Sequence, residues 1–595
     1  MDDLTATISH HLLPYVNQPS AYVGLEINAR CPDPRDAEVA IALAFPDTYA
    51  LGASHLGTQV LYHALNDLPG VACDRTCCPS PDAIQRMRAE GIPLWGWESR
   101  LAVGGFDVVG FALPYELCVT NVLTMLELSH VPIRGSDRDE SHPIIVAGDA
   151  LADTPEPMSA FIDVFLPGDG EGPMRALATL VGECRNGPAI SREQLLLRIA
   201  REVPSAYVPR FYEPTWNADG SLAALTPTRD GVPDTIPRAA IESFADTPAI
   251  TAPLVPIAEA IHDRVAIEIM RGCPNGCRFC QAGHCRLPVR YRGVEEIVAI
   301  AREALANTGY DEISLLSLST SDYPHLDTLI ARLTEEFAER GVGISLPSLR
   351  VDSQLQHLPR LTSAVRKAGL TIAAEAGTDR LRRAIRKGIT EQDMLDGVRA
   401  AYQAGWNKVK VYFIAGLPGE TPEDIEQIHW LCRRLSNTRR DIDGQRGAIS
   451  AGVSWFVPKP HTPMQYAPMQ TGEYFWAVRE QLIELCRKTP VNVKFHYIEQ
   501  SLLEGVIARG DRRLADAIET AWRNGAMMDA WKEHFNWDRW KDAFAASGVD
   551  PAFYAHREIP TDELTPWAHI RTHRPTEFLQ AEYDHMHDVL AEPAE

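Results

Sequence analysis

Short apolar runs and helically spaced segments alternate along the chain in two series, separated by a polar stretch. In the first series EVAIALAF (38–45), DVVGFAL (107–113), PIIVAGD (143–149) and DVFLPGD (163–169) are strand-like, each ending near Gly, Asp or Pro. Between them, HLGTQVLYHALND (55–67) and CVTNVLTMLEL (118–128) space their apolar residues as helices do. Such alternation predicts a parallel, doubly wound, Rossmann-like α/β sheet. A ligand of such a sheet binds beyond the carboxyl ends of its strands. Here those ends carry Pro46–Asp47, Leu113–Pro114–Tyr115, Gly148–Asp149 and Gly168–Asp169–Gly170–Glu171. From 200 to 255 the pattern decays into polar residues and prolines, as in a linker.

The second series predicts six strands: RVAIEIM (264–270), EISLLSL (312–318), GISLPSL (343–349), LTIAAEA (370–376), KVKVYFIAG (408–416) and AISAGVSWF (448–456). Helical patterns such as VEEIVAIAREALANTG separate them, which fits a partial (β/α)6 barrel with its chemistry at the carboxyl ends of the strands. Beyond 468 the chain is mainly helical and rich in tryptophan. The expected domains are therefore 1–245, Rossmann-like with the linker; 246–468, the barrel; and 469–595, helical. The C-terminal tryptophans read as core.

Composition narrows the function. A formal net charge of −23 over 595 residues repels phosphate backbones and argues against broad nucleic-acid binding. Local basic sets remain at Arg271, Arg278, Arg286, Arg290 and Arg292, and at RLRRAIRK (380–387). No run approaches the roughly 18 apolar residues of a membrane span, and the acidic start is unlike a secretory signal, so a cytoplasmic location without membrane association is expected. Twelve cysteines, several of them clustered, point to metal ligation or redox chemistry rather than a disulfide framework.

The densest cluster is RGCPNGCRFCQAG, with Cys273, Cys277 and Cys280 spaced Cys-x3-Cys-x2-Cys directly after the first strand of the second series. Three thiolates on one glycine-containing loop suit three corners of a cubic iron–sulfur cluster. A zinc site would call for a fourth ligand, for which Cys285 is the candidate. Cys73, Cys77 and Cys78 in CDRTCC form a second group, readable as an auxiliary metal site or as a loop of free thiols.

The Cys-x3-Cys-x2-Cys motif, with Phe279 before the third Cys, resembles the mark of the radical S-adenosylmethionine (SAM) superfamily. That resemblance implies a 4Fe–4S cluster on Cys273, Cys277 and Cys280. Its open iron would chelate the amino and carboxylate groups of SAM, and one electron would release a 5′-deoxyadenosyl radical. Resemblance continues in LSLSTSDY (316–323), where Ser317, Ser319 and Ser321 would bind the methionine amino end or cap the next helix. In PSLRVDS (347–353), Arg350 would face the cavity or lie in a surface ion pair. In AEAGTDRLRRAIRKG (374–388), similar to methylthiotransferase-type relatives, Glu375 would lie near the ribose or amino group. Gly377 would permit close backbone approach and Arg386 would reach the carboxylate. YFIAGLPGET (412–421) resembles the adenine-packing segment, through Gly416 and Pro418, and can equally be a tight turn. WFVPKPHTPMQ (455–465) resembles the closing segment, with Lys459 and His461 facing the cavity or exposed.

A doubly wound domain before such a barrel resembles the arrangement of cobalamin-binding radical enzymes, and the family with that N-terminal domain is similar over nearly the whole chain. The Asp-x-His-x-x-Gly cobalt-ligand signature is absent: Ala53 and Thr58 flank His55 in place of Asp and Gly. Two readings stay open, a cobalamin site without that histidine and a vestigial domain that presents substrate. The resemblance implies hydrogen abstraction from an unknown substrate, or methyl transfer if cobalamin is bound, fed by an electron donor such as flavodoxin or ferredoxin. The rival readings are a methylthiotransferase-like enzyme acting on RNA or a ribosomal protein, and a non-catalytic redox sensor.

Overall fold

The computed structural model describes residues 3–346 and 370–592. In the N-terminal half, β1 (Val39–Phe45), β2 (Val71–Cys77), β3 (Val108–Ala112), β4 (Ile144–Gly148) and β5 (Val164–Phe165) form one parallel sheet in the order 2-1-3-4-5. Helices α1 (Leu56–Asn66), α2 (Val119–Leu128) and α3 (Glu171–Asn186) alternate with these strands in the chain. β1 is buried at every position, as befits a parallel strand covered on both faces. Strand order reverses between β1 and β3, so the adjoining carboxyl ends open a crevice there.

β2 lies where the sequence reads as a loop of thiols. VACDRTC lacks an aliphatic run, yet all seven residues are buried. Its polar side chains find partners inside the fold: Arg75 pairs with Glu26 and Glu98, and Asp74 accepts the backbone N–H of Arg75, Glu98 and Ser99. Cys73, Cys77 and Cys78 are free buried thiols.

In the second half, β6 (Val265–Glu268), β7 (Glu312–Leu316) and β8 (Gly343–Ser345) form a parallel sheet in the order 8-7-6. A second parallel sheet runs β9 (Leu370–Glu375), β10 (Lys408–Ala415), β11 (Ala448–Trp455) and β12 (Val491–Phe495) in sequence. No pairing joins β8 to β9 among the described residues. The turn carrying Arg350 lies outside them, as does the end of the expected strand 343–349. The strand series extends beyond 468: β12 alternates buried and exposed residues, and its exposed Asn492 and Lys494 hide it from an apolar-run reading.

Local signals set the helix ends. Helix 422–437 starts on a capping box, Thr421 with Asp424, and has Pro422 in its first turn. Helix 294–308 stops at Gly309, whose φ of 75° is a left-handed cap. The C-terminal helices dock on both halves. Trp540 and Trp567 are fully buried, Trp522 Nε1 donates to Thr124 Oγ1 (3.0 Å) and Trp531 Nε1 to Asp47 Oδ1 (2.9 Å), whereas Trp476 stays exposed. The last helix, Thr576–Ala591, builds a satellite core with Leu381, Ile385, Leu417, Phe456 and Met464. No described helix is long and apolar enough to cross a membrane.

Candidate active site

After β6 the chain makes an excursion closed at its base by a two-residue antiparallel ladder, Met270–Arg271 against Arg290–Tyr291. Gly272 enters it with φ 88°, and a Cβ there would lie 2.6 Å from the Arg286 carbonyl oxygen, so only glycine fits that crossing. The excursion carries Cys273, Cys277 and Cys280, all partly exposed, and then the short helix Gln281–Cys285. The three thiols lie in one another's electrostatic field, together with Lys387 and Glu375. Burial pushes the Cys277 thiol up to about 11, while the Lys387 ammonium pulls it down. Metal uptake must therefore displace its proton. The Gly283 backbone N–H is directed at Cys280.

Three later segments hold this loop. Arg278 donates from its backbone N–H to the Ile385 carbonyl (3.0 Å) and from Nη1 to Ala384 (2.6 Å), and its own carbonyl accepts from Met464 N–H (3.3 Å). Asn275 Nδ2 donates to Asp322 Oδ2 (2.7 Å), after β7, and to the Cys273 sulfur (3.3 Å). Turns after β7, β9 and β11 thus converge on the cysteine loop. Among the described residues no three His, Cys, Asp or Glu side chains close around a single ion. Cys285, the candidate fourth zinc ligand, is buried and lines a separate cavity. Three thiols on a wide, partly exposed loop are the donor set a cluster takes.

The expected site residues fall in different places. Ser319 Oγ donates to Asp322 Oδ2 (2.6 Å), beside the loop, and Ser317 pairs with Thr320 (2.9 Å). Glu375 sits in a β-bulge with φ 64°, and its Oε1 accepts from Lys387 Nζ (3.0 Å). A left-handed glutamate at a strand end is the kind of backbone strain that collects at functional sites. Gly377 gives close approach to helix 422–437, where a Cβ would meet the Asp424 carbonyl at 2.4 Å. Arg386 is half-exposed and pairs with Glu582 of the last helix (3.0 Å). Gly416 is buried against Phe475 and donates its N–H to Glu420 (2.7 Å), and Pro418 is half-buried in the same turn. Lys459 is bound by Glu116 (2.6 Å) and Glu504 (2.7 Å), and His461 Nε2 donates to the Asp153 carbonyl (2.7 Å). These two residues lock the N-terminal half to the barrel.

Sequence reasoning passed over Lys387, Asn275 and Asp322. Lys387 adjoins the chosen Arg386. Asn275 and Asp322 stand inside motifs read for their cysteines and serines. The expected basic set is neutralised from within: Arg271 pairs with Glu268 and Glu171, Arg278 with Glu582, Arg286 with Asp149, Arg290 with Asp169, and Arg292 with Glu296.

On the other side of helix 281–285 lies a cavity of about 370 Å³, at the carboxyl edge of the N-terminal sheet. Its floor is apolar, between Leu43, Gly110 and Val146 of the strands and Leu61 and Met174 of the helices. A Cβ on Gly110 would stand 3.3 Å from Leu43, so this mid-strand glycine keeps the floor open. Its mouth is polar: His55, Asp149, Asp153, Arg238, Gln281 and Arg286. Asp149 has φ 70° and ψ −156°, a strained conformation for a non-glycine residue. Burial raises its carboxyl most strongly of any single influence, but the hydrogen bond and charge of His55, the Arg286 guanidinium and the Ala150 backbone N–H together outweigh it and leave it below the usual range. His55 is engaged at both nitrogens, Nδ1 by Thr58 (2.8 Å) and Nε2 by Asp149 (3.3 Å).

The family model "Radical SAM proteins, N-terminal" matches residues 57–209, and "Radical SAM superfamily" matches residues 267–431. An uncharacterized protein of Methanocaldococcus jannaschii is 31% identical over 254 residues, 42% of this chain and 53% of that one. The threonylcarbamoyladenosine tRNA methylthiotransferase MtaB of Treponema pallidum is 27% identical over 244 residues, 40% of this chain and 48% of that one. The chain thus spans about half the length of these curated relatives. Among solved structures, the cobalamin-dependent SAM radical enzyme OxsB with aqua-cobalamin bound aligns at 14% identity and a TM-score of 0.48, over 81% of this chain and 66% of that one. With both family models in chain order, and three clustered thiols after the first strand of the second, the chain belongs to the radical SAM superfamily.

Proposed function

We propose that this protein is a radical SAM enzyme that abstracts hydrogen from a substrate admitted between the barrel mouth and the N-terminal cavity. The convergence of three barrel turns on the loop of Cys273, Cys277 and Cys280 carries this reading. Cys273, Cys277 and Cys280 would hold a 4Fe–4S cluster, which when bound would supply the one-electron reduction that splits SAM into methionine and a 5′-deoxyadenosyl radical. The chain's own residues bind and orient. Glu375 and Lys387, paired beside the thiols, offer one charge of each sign to the amino-acid end of SAM. Ser317, Ser319, Gly377, Arg386 and the turn at Gly416 and Pro418 complete the proposed surroundings. The electron comes from a flavodoxin- or ferredoxin-type donor, in a reducing cytoplasmic setting that suits twelve free cysteines.

The cavity favours cobalamin as a second cofactor. Its apolar floor accepts a flat heterocycle, its mouth offers hydrogen-bonding groups, and helix 281–285 sets it directly against the cysteine loop. With both nitrogens of His55 engaged, the chain presents no free imidazole there. With cobalamin bound there, methyl transfer to an unactivated carbon would be the reaction outcome.

Mass spectrometry of nucleoside products after anaerobic reconstitution with SAM, cobalamin and reductant tests this, with Cys277→Ala as control. 5′-Deoxyadenosine together with S-adenosylhomocysteine is expected. 5′-Deoxyadenosine alone would remove the methyl-transfer reading, and neither product above the control, from protein with a full cluster, would leave a redox sensor.

A further inference from the structure

The serine-rich turn after β7 faces the cysteine loop through one side chain. Asp322 Oδ2 accepts from Asn275 Nδ2 at 2.7 Å and from Ser319 Oγ at 2.6 Å, and Asn275 Nδ2 lies 3.5 Å from Ser319 Oγ. The same Asn275 amide donates to the Cys273 sulfur at 3.3 Å. Ser319 is 3% exposed, and the turn is fixed by backbone bonds from Asp322 N–H to Ser319 (3.0 Å) and from Tyr323 N–H to Thr320 (3.2 Å). Asn275 stands between two cluster cysteines, with Gly276 (φ 64°) turning the chain immediately after it. A carboxylate from one turn therefore aims an amide N–H from another at a thiol.

We infer that Asn275, oriented by Asp322 and Ser319, tunes the reduction potential of the cluster that the three thiols hold. This rests on the cluster reading of the loop. An N–H donated to a thiolate sulfur stabilises negative charge on that sulfur, and it does so more when the cluster has gained an electron. The hydrogen bond raises the potential. Asp322 acts in the opposite sense, because its own negative charge lies one side chain away from the sulfur and opposes the arriving electron. The pair sets the potential by a difference: the amide makes reduction easier, and the carboxylate that orients it makes reduction harder. Asn275 and Asp322 are tuning and positioning residues and need not touch substrate.

The test is a potentiometric titration, followed by electron paramagnetic resonance of the reduced cluster, on the anaerobically reconstituted full chain and on Asn275→Ala, Asp322→Asn and Ser319→Ala. Iron and sulfide content is measured on each sample. Expected are a more negative midpoint potential for Asn275→Ala, a more positive one for Asp322→Asn, and a smaller negative shift for Ser319→Ala. Opposite signs from two contacting residues are what a merely structural role would not give, since loosening the loop lowers cluster content without moving the potential of the clusters that remain. Wild-type potential in fully loaded Asn275→Ala and Asp322→Asn, or shifts of the same sign in both, would overturn the inference. A wild-type chain that takes up no cluster would overturn both this and the proposed function.

Discussion

The cysteine loop and the cavity occupy equivalent places, each beyond the carboxyl edge of a parallel sheet, and are built in opposite ways. The loop gathers its three thiols from eight consecutive residues, Cys273 to Cys280, and takes support and neighbouring charges from elsewhere. The cavity has no such centre: Leu43, Gly110, Asp149, Met174 and Arg286 come from five separated elements. Donor atoms set by local spacing can be recognised from spacing. A void exists only after tertiary packing, and its residues look ordinary one at a time. The contrast teaches that ligand type is encoded locally at the first site and shape is encoded globally at the second.

Four variants probe the two sites and the contacts around them. Cys277→Ala should abolish cluster assembly, read by iron content and visible absorbance, because it removes one of three ligands that share one loop. Filling the cavity floor should leave the cluster alone: Gly110→Val places atoms against Leu43 and Met174 and is expected to reduce aqua-cobalamin retention in equilibrium dialysis at least tenfold, roughly 1.4 kcal/mol. Unchanged retention would place the ligand elsewhere. Between the two sites, Arg271 holds Glu268 on its own strand and Glu171 on the N-terminal half, with its side chain only 10% exposed. Arg271→Ala leaves those carboxylates unpaired and should cost about 3–5 kcal/mol in denaturant unfolding.

The fourth variant reads out through pH. Burial raises the Asp529 carboxyl to about 6, outweighing the Thr120 hydrogen bond. The folded state thus favours the neutral acid. The associated stability is complete below the unfolded value near 3.8 and is lost as pH rises through about 6. Asp529→Asn should match the wild type near pH 4 and exceed it at pH 7 by on the order of 2 kcal/mol in thermal unfolding. Equal stability at both values would show that the carboxylate stays charged in place.

Much of the fold follows from residue order. The strand ends at 45, 112 and 148 fall within a residue of the ends of apolar runs because those parallel strands are covered on both faces, whereas β10 and β11 alternate buried with exposed or half-buried positions. β2 escaped that logic because Asp74 and Arg75 are buried with partners at Glu98, Ser99 and Glu26, all distant in sequence. The spacing of the three thiols could be read from the sequence, and the structure sets Glu375 in their electrostatic field. Lys387 could not be singled out, since RLRRAIRK holds five cations and only tertiary structure decides which one turns toward the thiols. Lys459 and His461 were expected either at a cavity or exposed, and they instead pair across to the N-terminal half, because spacing along a strand end cannot say which neighbouring domain arrives there.

The arginines that join the halves also bear on how the protein is made. Asp169 and Glu171 leave the ribosome about a hundred residues before Arg271 and Arg290, the guanidinium groups that neutralise them in the finished fold. Until those arrive, the nascent N-terminal half carries two carboxylates that cannot be buried without penalty. Its carboxyl edge therefore stays open to water until the first barrel strand is synthesised. The cysteine loop lies between Arg271 and Arg290 on the same stretch of chain, so the thiols reach their place in the same stage of synthesis that closes the N-terminal half.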